Sequence, residues 1–319
     1  MMRYHCRTLS GTLLACALSL CMAAGAAQAA YLFEANTAKF KDAKKVSSRS
    51  FKFLATIDPA KDAEANIAVL RDAVIAAGKA EGYAYKEAKK GDEWRYGEKR
   101  YYDTPAYDIY KKGYVIRETY RYAKGGTADP EKFVFTVKEM SPNDLNRIVT
   151  SKLAPVKSLE SLVKFEENIS LADNGALQSY FESAIGARFK NKDLGARTMG
   201  DFAKFYPELG KLGIPAGAKF VPVTGYSTQL KFGAFVMPGG DEAKMDIEVW
   251  SRAPGGPIFV AEIAFDMNND EGYESDAADM KDSEDFFLKV FGKAMKPRAM
   301  PGAGPYMGSK VRALFDQKK

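Results

Sequence analysis

Beyond residue 29 the chain has neither cysteine nor histidine: Cys6, Cys16, Cys21 and His5 all fall before it. Removal of that first stretch excludes disulfides, cysteine nucleophiles, Ser-His-Asp triads, histidine general bases and the usual zinc and haem ligand sets. What remains is the chemistry of carboxylates, Lys, Arg, Tyr and hydroxyls. The sequence predicts such a removal. Residues 1–29, "MMRYHCRTLSGTLLACALSLCMAAGAAQA", combine Arg3 and Arg7, an apolar run and a small-residue site at Ala27-Gln28-Ala29, the pattern of a cleaved secretory signal peptide. No later apolar run is long enough to span a bilayer as a helix, so the expected location is periplasmic or secreted.

A large excess of one charge is also missing. The full chain carries a formal +6, and loss of Arg3 and Arg7 leaves 45 basic against 41 acidic residues, or +4. That balance gives no reason to expect a nucleic-acid partner.

Residues 30–45 read as a polar, basic arm. "VSSRSFKFLATI" alternates Ser48, Ser50 and Lys52 against Phe51 and Phe53, as a half-buried strand does. Asp58-Pro59 then offers a helix start, followed by an apolar stripe of Ile67, Leu70 and Val74. Strand patterns return in "WRYGEKRYYDT", "GYVIRETYRY", "EKFVFTVKE" and "NRIVTSKLAP". From about residue 159 to 212 the pattern predicts helices: "SLESLVKFEEN", "NGALQSYFESAIGARF" and "MGDFAKFYPELGKLG". "YSTQLKFGAFVM", "MDIEVWSR" and "PIFVAEIAFD" are strand-like again, "SEDFFLKVFGKAM" is a final helix, and residues 296–319 form a basic, Pro/Gly-rich tail. The class is α+β: an antiparallel sheet with a helical insertion.

Alternation sorts the strand residues by face. Val115, Arg117, Thr119 and Arg121 share one face, as do Lys132, Val134, Thr136 and Lys138; Phe133, Phe135 and Val137 lie opposite. Lys52 and Lys231 fit the same scheme, and later strands add Asp246, Glu248, Glu262 and Asp266. A solvated outer face would explain such a pattern. The large aromatics on the other face argue that both sides are covered, in which case the charged side lines a cavity and focuses a field on an anion.

"RYYDTPAYDIYKKGYVIRETYR", "FVFTVKE" and "FVAEIAFD" together resemble the CYTH domain, or triphosphate tunnel metalloenzyme fold. The resemblance spans residues 46–295 and implies an eight-stranded antiparallel, closed or nearly closed β-barrel tunnel. It also implies a phosphorylated or otherwise polyanionic ligand held by Lys52, Arg100, Arg117, Arg121, Lys138 and Lys231, with Mg²⁺ or Mn²⁺ on Asp246, Glu248 and Glu262. The family's opening Glu-x-Glu-x-Lys strand is altered: Ser48 and Ser50 stand at the glutamate positions before Lys52, and Ala264 replaces the partner of Glu262. Cations persist while carboxylates are lost, which favours a binder. An active triphosphatase or polyphosphatase and a non-catalytic envelope scaffold are the alternatives. "DMNNDEGYESD", from Asp266 to Asp276, has alternate oxygen ligands but lacks the terminal Glu of a calcium loop, and is read as a solvated turn.

Overall fold

The computed structural model describes residues 31–40, 46–129, 133–141, 144–156, 158–189, 198–268, 277–300 and 309–316. The expected signal peptide lies outside these residues, as do positions 269–276 of the calcium-like segment, 41–45 of the arm, and 301–308 and 317–319 of the tail.

Among the described residues ten strands form one sheet: β1 Ser48–Ala55, β2 Ala84–Lys86, β3 Glu93–Asp103, β4 Tyr114–Tyr122, β5 Phe133–Ser141, β6 Ser158–Leu171, β7 Leu177–Phe189, β8 Val221–Val236, β9 Glu242–Ser251 and β10 Ile258–Asn268. Nine of them close in the order β8-β3-β4-β5-β7-β6-β1-β10-β9, with β9 pairing back onto β8; β2 extends the far end of β8. The closed α+β barrel is as expected, but it has nine strands instead of eight, and β1 runs parallel to β6.

Both differences arise in the middle of the chain. "NRIVTSKLAP" is not a strand: Leu145–Val149 form a short helix whose start is capped by Asp144, which accepts the Arg147 N–H. The helical insertion expected over 159–212 is confined to its last part, Met199–Phe205 and a 3₁₀ turn at Pro207–Lys211. The described part before it is the β6–β7 hairpin, turned at Gly175 with φ +83°. Asn174-Gly175 is a hairpin signal, and pairing with β1 and β5 outweighs the local helical spacing of Leu159, Leu162 and Val163.

The helices, α1 Leu32–Lys39, α2 Ala63–Ala80, α3 Asp108–Lys111, α4 Leu145–Val149, α5 Met199–Phe205, α6 Ala277–Phe287 and α7 Ser309–Asp316, cover the barrel. Helix α2 buries the predicted stripe of Ile67, Leu70 and Val74, although its cap is Asp62, which accepts the Ala65 N–H, and not Asp58. With α6 it covers the outward residues Phe51, Phe53, Ile247, Ile263 and Phe265. Phe51 and Phe265 stack at 4.6 Å. Each such ring or aliphatic chain removed from water contributes roughly 1.5–3 kcal/mol. Around the wall, Phe202 of α5 and Tyr206 cover Ile116, Phe135, Val137 and Ile185. Because the apolar face is turned outward and covered, the alternate positions of every strand face inward.

The arm is docked by hydrogen bonds: the free N–H groups of Leu32 and Phe33, at the start of α1, each reach the Glu284 carboxylate at 2.7 Å. Among the described residues no helix is long and apolar enough to cross a membrane.

Candidate functional site

Strand register stacks the inward residues in three levels. At one end Leu54, Tyr101, Val115, Met140, Tyr180, Val223, Trp250 and Val260 make an apolar ring, into which α7 inserts Leu314 and Phe315. On seven of the nine barrel strands the next inward position is charged. Lys52, Lys99, Arg117, Lys138, Glu182, Glu248 and Glu262 surround a cavity of about 120 Å³, joined from α7 by Lys310. At the far mouth, Lys231, Asp246 and Asp266 border a cleft of about 640 Å³. Thr119, Arg121, Thr136 and Arg188 border another of about 590 Å³.

Of the residues expected from sequence, Lys52, Arg117, Lys138, Glu248 and Glu262 therefore meet around one cavity. Arg121, Lys231 and Asp246 lie at the mouth. Arg100 does not reach the interior. Its strand neighbour Lys99 takes the inward position, while Arg100 bonds Glu98 at 2.5 Å and lies 4.5 Å over the Tyr120 ring on the outer side. Asp103, in the Tyr-Asp-Thr stretch, serves the backbone: it accepts N–H groups from Thr104, Ile109 and Tyr110 and holds the β3–β4 connection.

Ser48 and Ser50 both face inward, next to carboxylates that arrive from other strands. Ser48 Oγ lies 3.4 Å from Glu166 Oε1, and Ser50 donates to Asp266. Glu166 is directly opposite Glu182 in the β6–β7 register, and Lys138 donates to Glu182. Burial pushes Glu166 up to about 7, and the Glu182 carboxylate adds to the rise. Glu182 is held well below the usual carboxylate range: against burial, Lys138, Lys52 and the hydrogen bond from Glu166 stabilise its charge. Below about pH 7 the pair thus holds one proton and one negative charge.

Across the cavity, Glu248 and Glu262 also stand directly opposite each other, on β9 and β10. Lys99 donates to Glu248, and Lys310 Nζ lies 2.5 Å from Glu248 Oε2 and 2.6 Å from Glu262 Oε1. Both ammonium groups lie over the Trp250 ring, at 4.8 and 5.5 Å from its centre. Burial lowers Lys99 to about 8, opposed by Glu248 and reinforced by Lys310 and Arg117. At the mouth, burial raises Asp246 to about 7, with Asp266 adding to the rise.

Around the central cavity five cations face three carboxylates, an excess suited to an anion. Among the described residues, the buried donors Arg117 Nε, Asn168 Nδ2 and Trp250 Nε1 lack a protein acceptor. Unmade hydrogen bonds of this kind are costly in a folded protein, and an anionic ligand would satisfy them. A divalent metal fits less well. Among the described residues no group of three or more carboxylates is placed to hold a metal ion, and Glu248 and Glu262 are engaged by lysines.

Lys99, Glu166, Asn168, Glu182 and Lys310 escaped the sequence reading. The alternation that put Arg117 inside leaves Lys99 and Arg100 as rivals, which only the cross-strand register resolves. Glu166 and Glu182 lay in text read as helix, and Asn174-Gly175 was the signal that would have found them. Nothing near Lys310 pointed to the barrel.

No family model matches the sequence, and no curated protein matches it. Several solved structures do. A candidate adenylyl cyclase from Hippeastrum, described as having a dominant triphosphatase activity, is 13% identical, with 79% of this chain and 97% of that one covered at a TM-score of 0.35. A candidate adenylate cyclase from Bacillus halodurans is 9% identical, covering 80% and 95% at 0.36. The PH1819 protein from Pyrococcus horikoshii is 13% identical, covering 77% and 89% at 0.30. Superpositions this loose carry no weight on what the chain does, and the closed barrel is established by its own strand register.

Proposed function

We propose that this is an exported, CYTH-like protein that binds a small phosphorylated or otherwise polyanionic ligand inside its barrel. The observation that carries the reading is the excess of cations over carboxylates around the cavity inside the barrel, with donors left open. Lys52, Arg117 and Lys138 are the contacts proposed for the anion, with Arg121 and Lys231 drawing it in from the mouth. Titration of tripolyphosphate into the protein in a metal-free buffer tests it. Measurable, salt-sensitive binding is expected, and no binding in a folded protein would leave the scaffold reading in its place.

Hydrolysis of a triphosphate is the second reading, favoured by the Glu166–Glu182 pair, which supplies a protonated and an ionised carboxyl beside Lys138. Release of phosphate from tripolyphosphate, lost in Glu166→Gln, would support it over binding alone.

A further inference from the structure

Glu248 and Glu262 face each other directly on neighbouring strands, an arrangement that repels unless a cation lies between them. The cation present belongs to the chain itself. Lys310 reaches from α7 to one oxygen of each glutamate, and Lys99 donates to the second oxygen of Glu248. Together the two ammonium groups bring two positive charges to two carboxylates, the same compensation that a divalent ion would bring. We infer that Lys310 is a built-in replacement for a metal ion, so that α7 is part of the ligand site and anion binding in the barrel is metal-independent.

The helix is anchored in a way that suits such a role. Leu314 and Phe315 are buried in the apolar ring with Tyr101 and Trp250, and Phe315 stacks on Tyr107 at 4.8 Å. The carbonyl of Leu314, near the open C-terminal end of α7, accepts from Arg252 Nη2 at 2.5 Å. The Lys310 side chain keeps only 16% of its exposure, and Val311 beside it lines the cavity. With that end stoppered, an anion enters by the mouth where Arg121 and Arg188 stand.

The inference rests on the polyanion reading, and two titrations separate them. The first is tripolyphosphate into wild type, Lys310→Met and Lys310→Gln, in EDTA and then with Mn²⁺. Wild-type affinity should be the same in both buffers. The variants should lose at least about tenfold in EDTA, because the Glu248–Glu262 pair is then one positive charge short beside the phosphates, and should recover with Mn²⁺. Equal affinity of variants and wild type in EDTA, or a wild type that binds only with Mn²⁺, overturns the inference. The second is Mn²⁺ alone. It should bind the variants and not the wild type; no Mn²⁺ binding by folded variants, or binding by wild type, also overturns it. If tripolyphosphate binds nothing, the polyanion reading fails while the Mn²⁺ titration still decides the role of Lys310. Met keeps the aliphatic stem over Trp250 and Gln keeps polarity, and the wild-type arms stand even if both variants misfold.

Discussion

Arg49 and Lys52 are three residues apart on β1, yet their surroundings follow opposite rules. Arg49 points outward, beneath α1, and pairs with Glu167 at 3.1 Å, both side chains nearly sealed from water and the Phe33 ring 4.9 Å from the guanidinium. The two charges there are paired directly. Lys52 points inward, bonded to Asn168, in a ring where cations outnumber carboxylates and donors remain open. A matched, dry pair contributes to structure, and removing one member leaves a buried charge uncompensated. An unmatched, enclosed cluster is tolerable only if something of opposite charge completes it. The two sides of one strand thus separate structural charge from charge kept for a ligand.

The largest test falls on the outer side. Glu167→Ala should destabilise the fold by about 3–5 kcal/mol in urea melts, whereas Arg49→Met combined with Glu167→Leu should recover most of that loss. A single-variant cost under about 1 kcal/mol would break the comparison. Arg117→Ala should do the reverse, losing about 1.5–3 kcal/mol of tripolyphosphate affinity by calorimetry with little change in melting temperature. Unchanged affinity would remove the cavity as the site. Lys138→Ala is a mixed case, since it also takes from buried Glu182 its lysine donor and should lower both stability and affinity.

The next effect is set by pH. Lys99 is lowered to about 8 in the folded chain, from about 10.4 in an unfolded one. Across that window the unfolded chain holds the extra proton, so this group's contribution to stability rises with pH, and its cost is fully present below 8. Tripolyphosphate affinity should move the opposite way, falling by up to about tenfold per pH unit above 8 as the ammonium is lost. Lys99→Met should flatten both trends, and a wild-type affinity constant from pH 7 to 10 would show that Lys99 takes no part. The smallest effect is expected for Arg100→Ala. Its partner Glu98 lies on the outer side, so binding should stay unchanged and stability should shift by less than about 1 kcal/mol. A tenfold loss of affinity would mean that β3 is read one residue out of register.

Much of the fold was legible in short windows. The alternation in "YVIRETYR" and "KFVFTVK" put Arg117 and Lys138 on one side and the apolar set on the other, and the aromatics on that second side argued for a covered barrel. The stripe of α2 was equally plain. Where two periods fit the same letters, as in "SLESLVKFEEN", the local reading chose helix, and long-range pairing chose strand. That one choice hid Glu166, Asn168 and Glu182 together.

By itself the sequence determined which residues share a face, that the residues after 29 have no histidine or cysteine chemistry, and that the charged face gathers Lys and Arg together with carboxylates from later strands. Only the tertiary structure decided how many strands close the barrel, that Lys99 and not Arg100 turns inward, and that a helix from the far end of the chain places Lys310 between Glu248 and Glu262. The physical reason is range. Face and period are local consequences of backbone geometry, whereas register, closure and the meeting of residues 248, 262 and 310 depend on contacts that no short window contains.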